Sequence, residues 1–250
     1  MSFKELFSRS LGANPERLHF ASHSHHLWPD ASFVGQTEAW QDAARLADDK
    51  WDKVMDEVWP EAQANVAAEL GTSAPDSIAF SSNTHDFLIR LAAACPRRDP
   101  AQLRVLTTDG EFHSARRQLA RWAEQGWLAL ETVATEPFDS FAARLLAAAD
   151  HGGHDLVLVS QVMFGSGRLF DPVAELAGFG RPEGPWVVID GYHAFMALEQ
   201  PFGADPARSA FYLGGGYNMR WPARAAPSST RRLDLALGRQ SRAGSPNSRI

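Results

Sequence analysis

From Glu38 to Leu70 the apolar positions Trp40, Ala44, Leu46, Trp51, Val54, Val58, Trp59, Ala62, Val66 and Leu70 recur at near-helical spacing. That period predicts one or two amphipathic helices, and Gly71 is a natural stop. Beyond it the pattern changes. Short apolar runs, Ile78 to Ser81, Arg104 to Thr107, Ala129 to Val133, Leu156 to Val162, Trp186 to Ile189 and Ala210 to Leu213, read as strands. Between them lie the helix-like stretches Asp86 to Ala94, Ala115 to Gln125, Phe138 to Ala149 and Asp171 to Phe179. Strand and helix alternating in this way predict an α/β fold, a mainly parallel sheet flanked by helices, with six short strands.

From Met219 the character shifts again. Arg220, Arg224, Arg231, Arg232, Arg239, Arg242 and Arg249 are interleaved with Ala, Pro, Ser and Gly, and Asp234 is the one acid. This composition predicts disorder and no strand, in either a basic interaction tail or a segment never selected to fold. The organisation is therefore an N-terminal arm with helices (1–70), a sheet domain (71–218) and a tail (219–250).

Composition narrows the function classes. With 44% hydrophobic and 22% charged residues over 250 positions, the chain is ordinary globular protein. Its net charge of -6 gives no basic footprint for nucleic acid, and no apolar run reaches the length that crosses a bilayer. One cysteine, Cys95, and no charged-then-apolar leader point to the cytoplasm. The histidines of His19 to Trp28 have no cysteine partner and no recognisable ligand spacing, so no metal site is expected.

In open parallel sheets, ligands sit beyond the carboxyl ends of the strands. Here those ends are polar. Ser81-Ser82-Asn83-Thr84-His85-Asp86 opens a helix, which suits either a phosphate or an ordinary cap. Asp109-Gly110-Glu111-Phe112-His113-Ser114 places an aromatic ring past the second strand, and Ser160-Gln161-Val162-Met163-Phe164-Gly165-Ser166-Gly167 turns glycine-rich past the fourth. Val187-Val188-Ile189 runs into Asp190, with His193 three residues on. An acid ending a buried strand is costly unless a basic ligand nitrogen or a protein donor meets it.

Taken in order, Ser82-Asn83-Thr84-His85, Glu111-Phe112-His113-Ser114, Ser160-Gln161-Val162, Asp190-Gly191-Tyr192-His193 and Gly214-Gly215-Gly216-Tyr217 resemble the class V aminotransferase group of fold type I pyridoxal-phosphate enzymes, and within it kynureninase-like members. The resemblance spans about Leu18 to Tyr217. It implies the three-layer large domain of a pyridoxal-phosphate transferase without its C-terminal small domain, an amino-acid substrate and a homodimer. It further implies that Asn83, Thr84 and His85 bind the cofactor phosphate, Phe112 stacks on the pyridine ring, and Asp190 pairs with the pyridinium nitrogen. Gln161 and His193 would lie near the ring substituents, and Tyr217 would reach the phosphate. The N-terminal histidine segment becomes an entry loop that brings His23, His25 or His26 to substrate. Phe112 and Tyr217 favour a kynureninase-like carbon–carbon hydrolase. Ala115, where kynureninases carry an acid, and the absence of their histidine from Ser160-Gln161-Val162 keep a transaminase open.

The group's Schiff-base lysine follows the position of Tyr217, and here that position is Asn218, with no lysine after it. Restoring one base inside codon 218 permits Lys-(His or Tyr)-Ala-(Leu, Met or Val)-Ala-Gly-Glu-Gly-Gly-Ala-Phe-Leu-His-Ala-Pro, which resembles the group. It would also supply a seventh strand, Ala-Phe-Leu-His. The expectation is a frame lost near Asn218, an inactive chain as written, and an out-of-frame tail. A non-catalytic remnant that still binds the cofactor is the alternative.

Overall fold

The computed structural model describes residues 3–21 and 26–216, and the backbone of 234–237. Among these, an N-terminal arm carries α1 (Ser8–Gly12) and α2 (Asp30–Leu46). A bent stretch follows, with α3 (Lys50–Lys53), a π-helical turn over Val54–Val58 and α4 (Trp59–Leu70), which ends on Gly71 in the left-handed region. The sheet domain then alternates β1 (Ile78–Ser81), α5 (Thr84–Ala94), β2 (Leu103–Thr108), α6 (His113–Glu124), β3 (Leu128–Val133), α7 (Phe138–His151), β4 (Leu156–Ser160), α8 (Val173–Ala177), β5 (Trp186–Asp190) and β6 (Ala210–Gly215). A further strand, β7 (Asp234–Leu237), completes one sheet in the order β1-β7-β6-β5-β4-β2-β3.

Every neighbouring pair from β6 to β3 is parallel, and β7 runs antiparallel between β1 and β6. The expected mainly parallel α/β fold is therefore present, and its strands fall within two residues of the predicted bounds. Period two sorts the side chains onto two faces. Val157, Val159, Val187, Ile189 and Tyr212 face one core with α4, α7 and α8. Leu156, Leu158, Val188, Phe211 and Leu213 face the other with α5 and α6. Helices thus cover both faces, as a buried parallel sheet requires.

Two expectations need correction. The sequence predicts no strand after Met219, yet Asp234–Leu237 forms β7. The reason is backbone accounting: the facing edges of β1 and β6 present unpaired N–H and C=O groups, and a short inserted segment satisfies both through its main chain. The run Leu235-Ala236-Leu237 is the tail's apolar stretch. The remaining tail positions lie outside the described residues. The second correction concerns Glu38 to Leu70, where Trp40 and Trp51 are 71% and 58% exposed rather than buried. There the chain breaks at Ala47, with φ at 49°, and Asp42 bridges the corner to Lys53 at 2.5 Å. The bend turns the apolar stripe away from a single continuous core.

Candidate functional site

Because β1 and all of β2 to β6 run the same way, Ser81, Thr108, Ser160, Asp190 and Gly215 end their strands at one rim of the sheet. The turn after β1 is built by Asn83, whose extended backbone starts α5 and whose side-chain oxygen accepts the Asp86 N–H at 2.8 Å. Thr84 and His85 occupy the first turn, where N–H groups have no intrahelical acceptor and the dipole favours an anion. His85 Nδ1 is buried with no partner among the described residues. Asp86 is tied to Ser81 and to Arg90. Those hydrogen bonds, Ser81 first, hold its carboxyl below the usual range.

After β2, Phe112 caps α6 with a half-buried ring. The ring lies 4.0 Å from His113 and meets Phe164 edge-on at 4.9 Å. Phe164, from the loop after β4, stacks near-parallel to His193 at 6.0 Å. Four aromatic rings from the β2, β4 and β5 ends thus form one cluster.

Asp190 ends β5 beside Ser160 of β4. Its carboxylate accepts the Tyr192 N–H at 3.0 Å, and its carbonyl accepts the Gln161 N–H at 2.8 Å. Burial pushes the carboxyl up to about 6, with the Tyr192 hydrogen bond pulling against it. The following Gly191 leaves no room for a side chain: a Cβ there would lie 1.8 Å from the Tyr212 ring. Tyr212 in turn donates to Gln161 Oε1 at 2.9 Å, while Gln161 Nε2 donates to the Pro201 carbonyl at 2.8 Å. Gln161 is therefore buried and bound to protein on both ends of its amide, at the end of β4 beside Asp190.

Thr84, Phe112, Asp190 and His193 all lie on this rim. Tyr217, Asn218, His23 and His25 lie outside the described residues, and His26 packs on Phe7 at 5.3 Å in the arm. No cluster of metal-binding side chains is found among the described residues. Likewise, no helix among them is long and apolar enough to cross a membrane.

Sequence reading missed Glu111. It stood only as a letter in a motif, yet its side chain is 3% exposed and bridges two strands. Thr108 Oγ1 donates to it at 2.6 Å, Ser160 Oγ at 2.6 Å and the Ser160 N–H at 3.1 Å. Burial pushes this acid up to about 7, against the Ser160 and Thr108 hydrogen bonds, and the nearby Asp190 charge adds to the rise. The available signal was an acid immediately after Asp109-Gly110 and within reach of strand-end hydroxyls, which period alone does not reveal.

No protein-family model and no curated protein matches the chain. Solved structures do. The cysteine desulfurase from Thermococcus onnurineus NA1 superposes with a TM-score of 0.68 at 20% identity, over 96% of this chain and 58% of its own. A variant of the enzyme C-DES, with glycine covalently linked to its PLP cofactor, gives 0.67 at 14% identity, over 92% and 58%. Histidinol-phosphate aminotransferase from Sinorhizobium meliloti, in complex with pyridoxal-5'-phosphate, gives 0.57 at 18%, over 84% and 52%. The chain thus spans little more than half the length of the structures it matches. At these identities the likeness is one of fold, and the fold is that of the large domain of the pyridoxal-phosphate transferases.

Proposed function

We propose that this chain carries the cofactor-binding half of a pyridoxal-phosphate enzyme of the class V aminotransferase group, acting on an amino-acid substrate, with a kynureninase-like hydrolase as the leading activity. The observation that carries the reading is the gathering of three chemically matched groups on one rim: a helix start for a phosphate, a half-buried aromatic ring for a planar ring, and a carboxylate for a ring nitrogen. The residues fit the group. His85 Nδ1 is a buried polar atom awaiting a partner, and Asp190 is a strand-end acid that burial leaves poorly satisfied.

When bound, the cofactor supplies an electron-withdrawing ring that stabilises negative charge on the substrate carbon. The protein's own contributions are separate. Thr84 and His85 offer first-turn N–H groups to the phosphate, with Asn83 holding the turn. Phe112 covers one ring face, and its contact with Phe164 limits how far it can swing. Asp190 holds a proton on the ring nitrogen, and His193 approaches the same space from the Asp190 turn. Tyr217 would complete the phosphate site. Asn218 stands at the lysine position and has no amine, so the chain as written binds the cofactor without a covalent link and does not turn over. Loss of the reading frame there is our account of both Asn218 and the arginine-rich tail. A homodimer in the cytoplasm is the corresponding assembly.

A transaminase of the same group is the second reading, favoured by Ala115, which packs in the core where an acid would serve a hydrolase. The test of the cofactor site is binding of pyridoxine 5'-phosphate, which cannot form a Schiff base, followed by fluorescence. The unmodified chain should bind, and Asp190→Asn should bind at least about tenfold more weakly, the cost of an unpaired charge at a buried site. Equal binding by the two would remove Asp190 from the site.

A further inference from the structure

Glu111 has no part in the binding scheme above, yet it is the most deeply buried acid of the rim. It sits immediately before Phe112, and its three hydrogen bonds come from both flanking strands: Thr108 of β2, and the main chain and hydroxyl of Ser160 of β4. Thr108 Oγ1 also accepts the Gly110 N–H at 3.2 Å, so its own hydrogen is directed at Glu111 and the carboxylate is the acceptor. Ser160 is the register partner of Asp190. Glu111 therefore links the residue that would cover the ring to the strand beside the residue that would hold its nitrogen.

The other titratable groups around it are distributed as follows. Asp109, on the same loop, turns away to Thr135, whose N–H and hydroxyl it accepts at 2.8 and 2.7 Å. From the β5 end come Asp190 and His193, from β6 Tyr212, and from the first turn of α6 His113. Arg168, after β4, is directed to Glu136 at 3.8 Å. Glu111, buried after β2, and Asp190, half-buried at the end of β5, thus flank the end of β4 as two acids, with no Lys or Arg among the described residues shifting either one.

We propose that Glu111 is a positioning residue of this site: it clamps the Phe112 loop to β4 and, through its charge beside Asp190, strengthens the hold on a protonated ring nitrogen. This rests on the cofactor reading above. The clamp's hydrogen bonds also end on the Glu111 carboxylate, so pH alone does not separate the two roles. A phosphorylated benzene analogue with no ring nitrogen, measured beside the cofactor analogue, does, because a clamp acts on both rings alike whereas the Glu111 charge favours only a protonated ring. A charged Glu111 acts only once ionised, near the value of about 7 to which burial and Asp190 push it.

The experiment compares the affinities of pyridoxine 5'-phosphate and of the benzene analogue for the full chain and for Glu111→Gln between about pH 5.5 and about pH 8.5. For each ligand, taking the ratio of the two proteins' affinities cancels the ligand's own titrations. The expected ratio for pyridoxine 5'-phosphate is near one at the acid end and rises through about pH 7 to on the order of tenfold. A ratio that is flat with pH, whatever its size, or that rises equally for the benzene analogue, overturns the proposal while leaving the cofactor site intact. Absence of binding by the unmodified chain at every pH overturns the cofactor reading, and this inference with it. Should Glu111→Gln fail to fold, Ser160→Ala replaces it. Removing a donor that holds the acid down should move the rise in affinity to higher pH, and an unmoved profile overturns the proposal.

Discussion

Asp155 and Asp190 each flank a buried parallel strand, at opposite rims of the sheet, and they are held in different ways. Asp155 precedes β4 and is 1% exposed; its carboxylate takes the Arg98 N–H at 3.1 Å and the Arg104 N–H at 2.9 Å. Its carbonyl accepts the Trp186 N–H and the Cys95 thiol. Every contact joins one chain segment to another. Asp190 ends β5, accepts one adjacent N–H, and is pushed up to about 6 by burial. The first acid is spent on holding strands together, and the second is kept available. In an open sheet the carboxyl ends are where helices begin and loops diverge, so an underused acid belongs at that rim.

The comparison is broken most strongly by exchanging the two roles. Asp155→Ala leaves two part-buried backbone N–H groups without their acceptor and should cost about 4 kcal/mol of stability. Urea denaturation measures this, and the residual folded protein should still bind pyridoxine 5'-phosphate. Asp190→Asn should do the reverse, weakening binding with little loss of stability. Matching stability losses in the two variants would erase the distinction.

Next in size is the pH dependence of the ligand-free protein. Glu111 is raised from 4.5 to about 7, so the folded state binds its proton more tightly than the unfolded state does. The corresponding stability is fully present below about 4.5 and lost as pH rises through about 7, and Asp190 acts in the same sense. The difference in shift corresponds to about 3 kcal/mol at most. Urea midpoints should therefore fall between about pH 5 and about pH 8, and Glu111→Gln should flatten that decline. A midpoint that rises over this range would contradict the assignment.

The smallest effect concerns the N-terminal helices, where the apolar stripe misled. Trp40→Ala should change stability by less than about 0.5 kcal/mol, because its ring is exposed. A loss of several kcal/mol would mean that the ring is buried in solution.

These cases show what was legible in the chain and why. The strands were readable because β4, β5 and β6 are buried on both faces and appear as continuous apolar runs, as in Val187-Val188-Ile189. Asp190 was readable because it interrupts such a run. β7 was not, since an inserted strand is selected by the open edges of β1 and β6, which exist only after folding. Glu111 was not either, because its partners Thr108 and Ser160 come together only when β2 pairs with β4. Gln161 was legible as part of a motif but not in its direction, which Tyr212 and Pro201 determine.

The central claim, a pyridoxal-phosphate site at the Asp190 rim without its lysine, is tested most directly by borohydride reduction with added pyridoxal phosphate, followed by peptide mapping. The chain has three lysines, Lys4, Lys50 and Lys53, all in the N-terminal arm and helices. The chain as written should bind the cofactor yet yield no stoichiometric adduct. Asn218→Lys should give at most a weak one, and the frame-restored protein a full adduct at 218 together with activity. Stoichiometric trapping on Lys4, Lys50 or Lys53 of the unmodified chain, lost in Asp190→Asn, would show that another lysine serves the site and would contradict the account of Asn218.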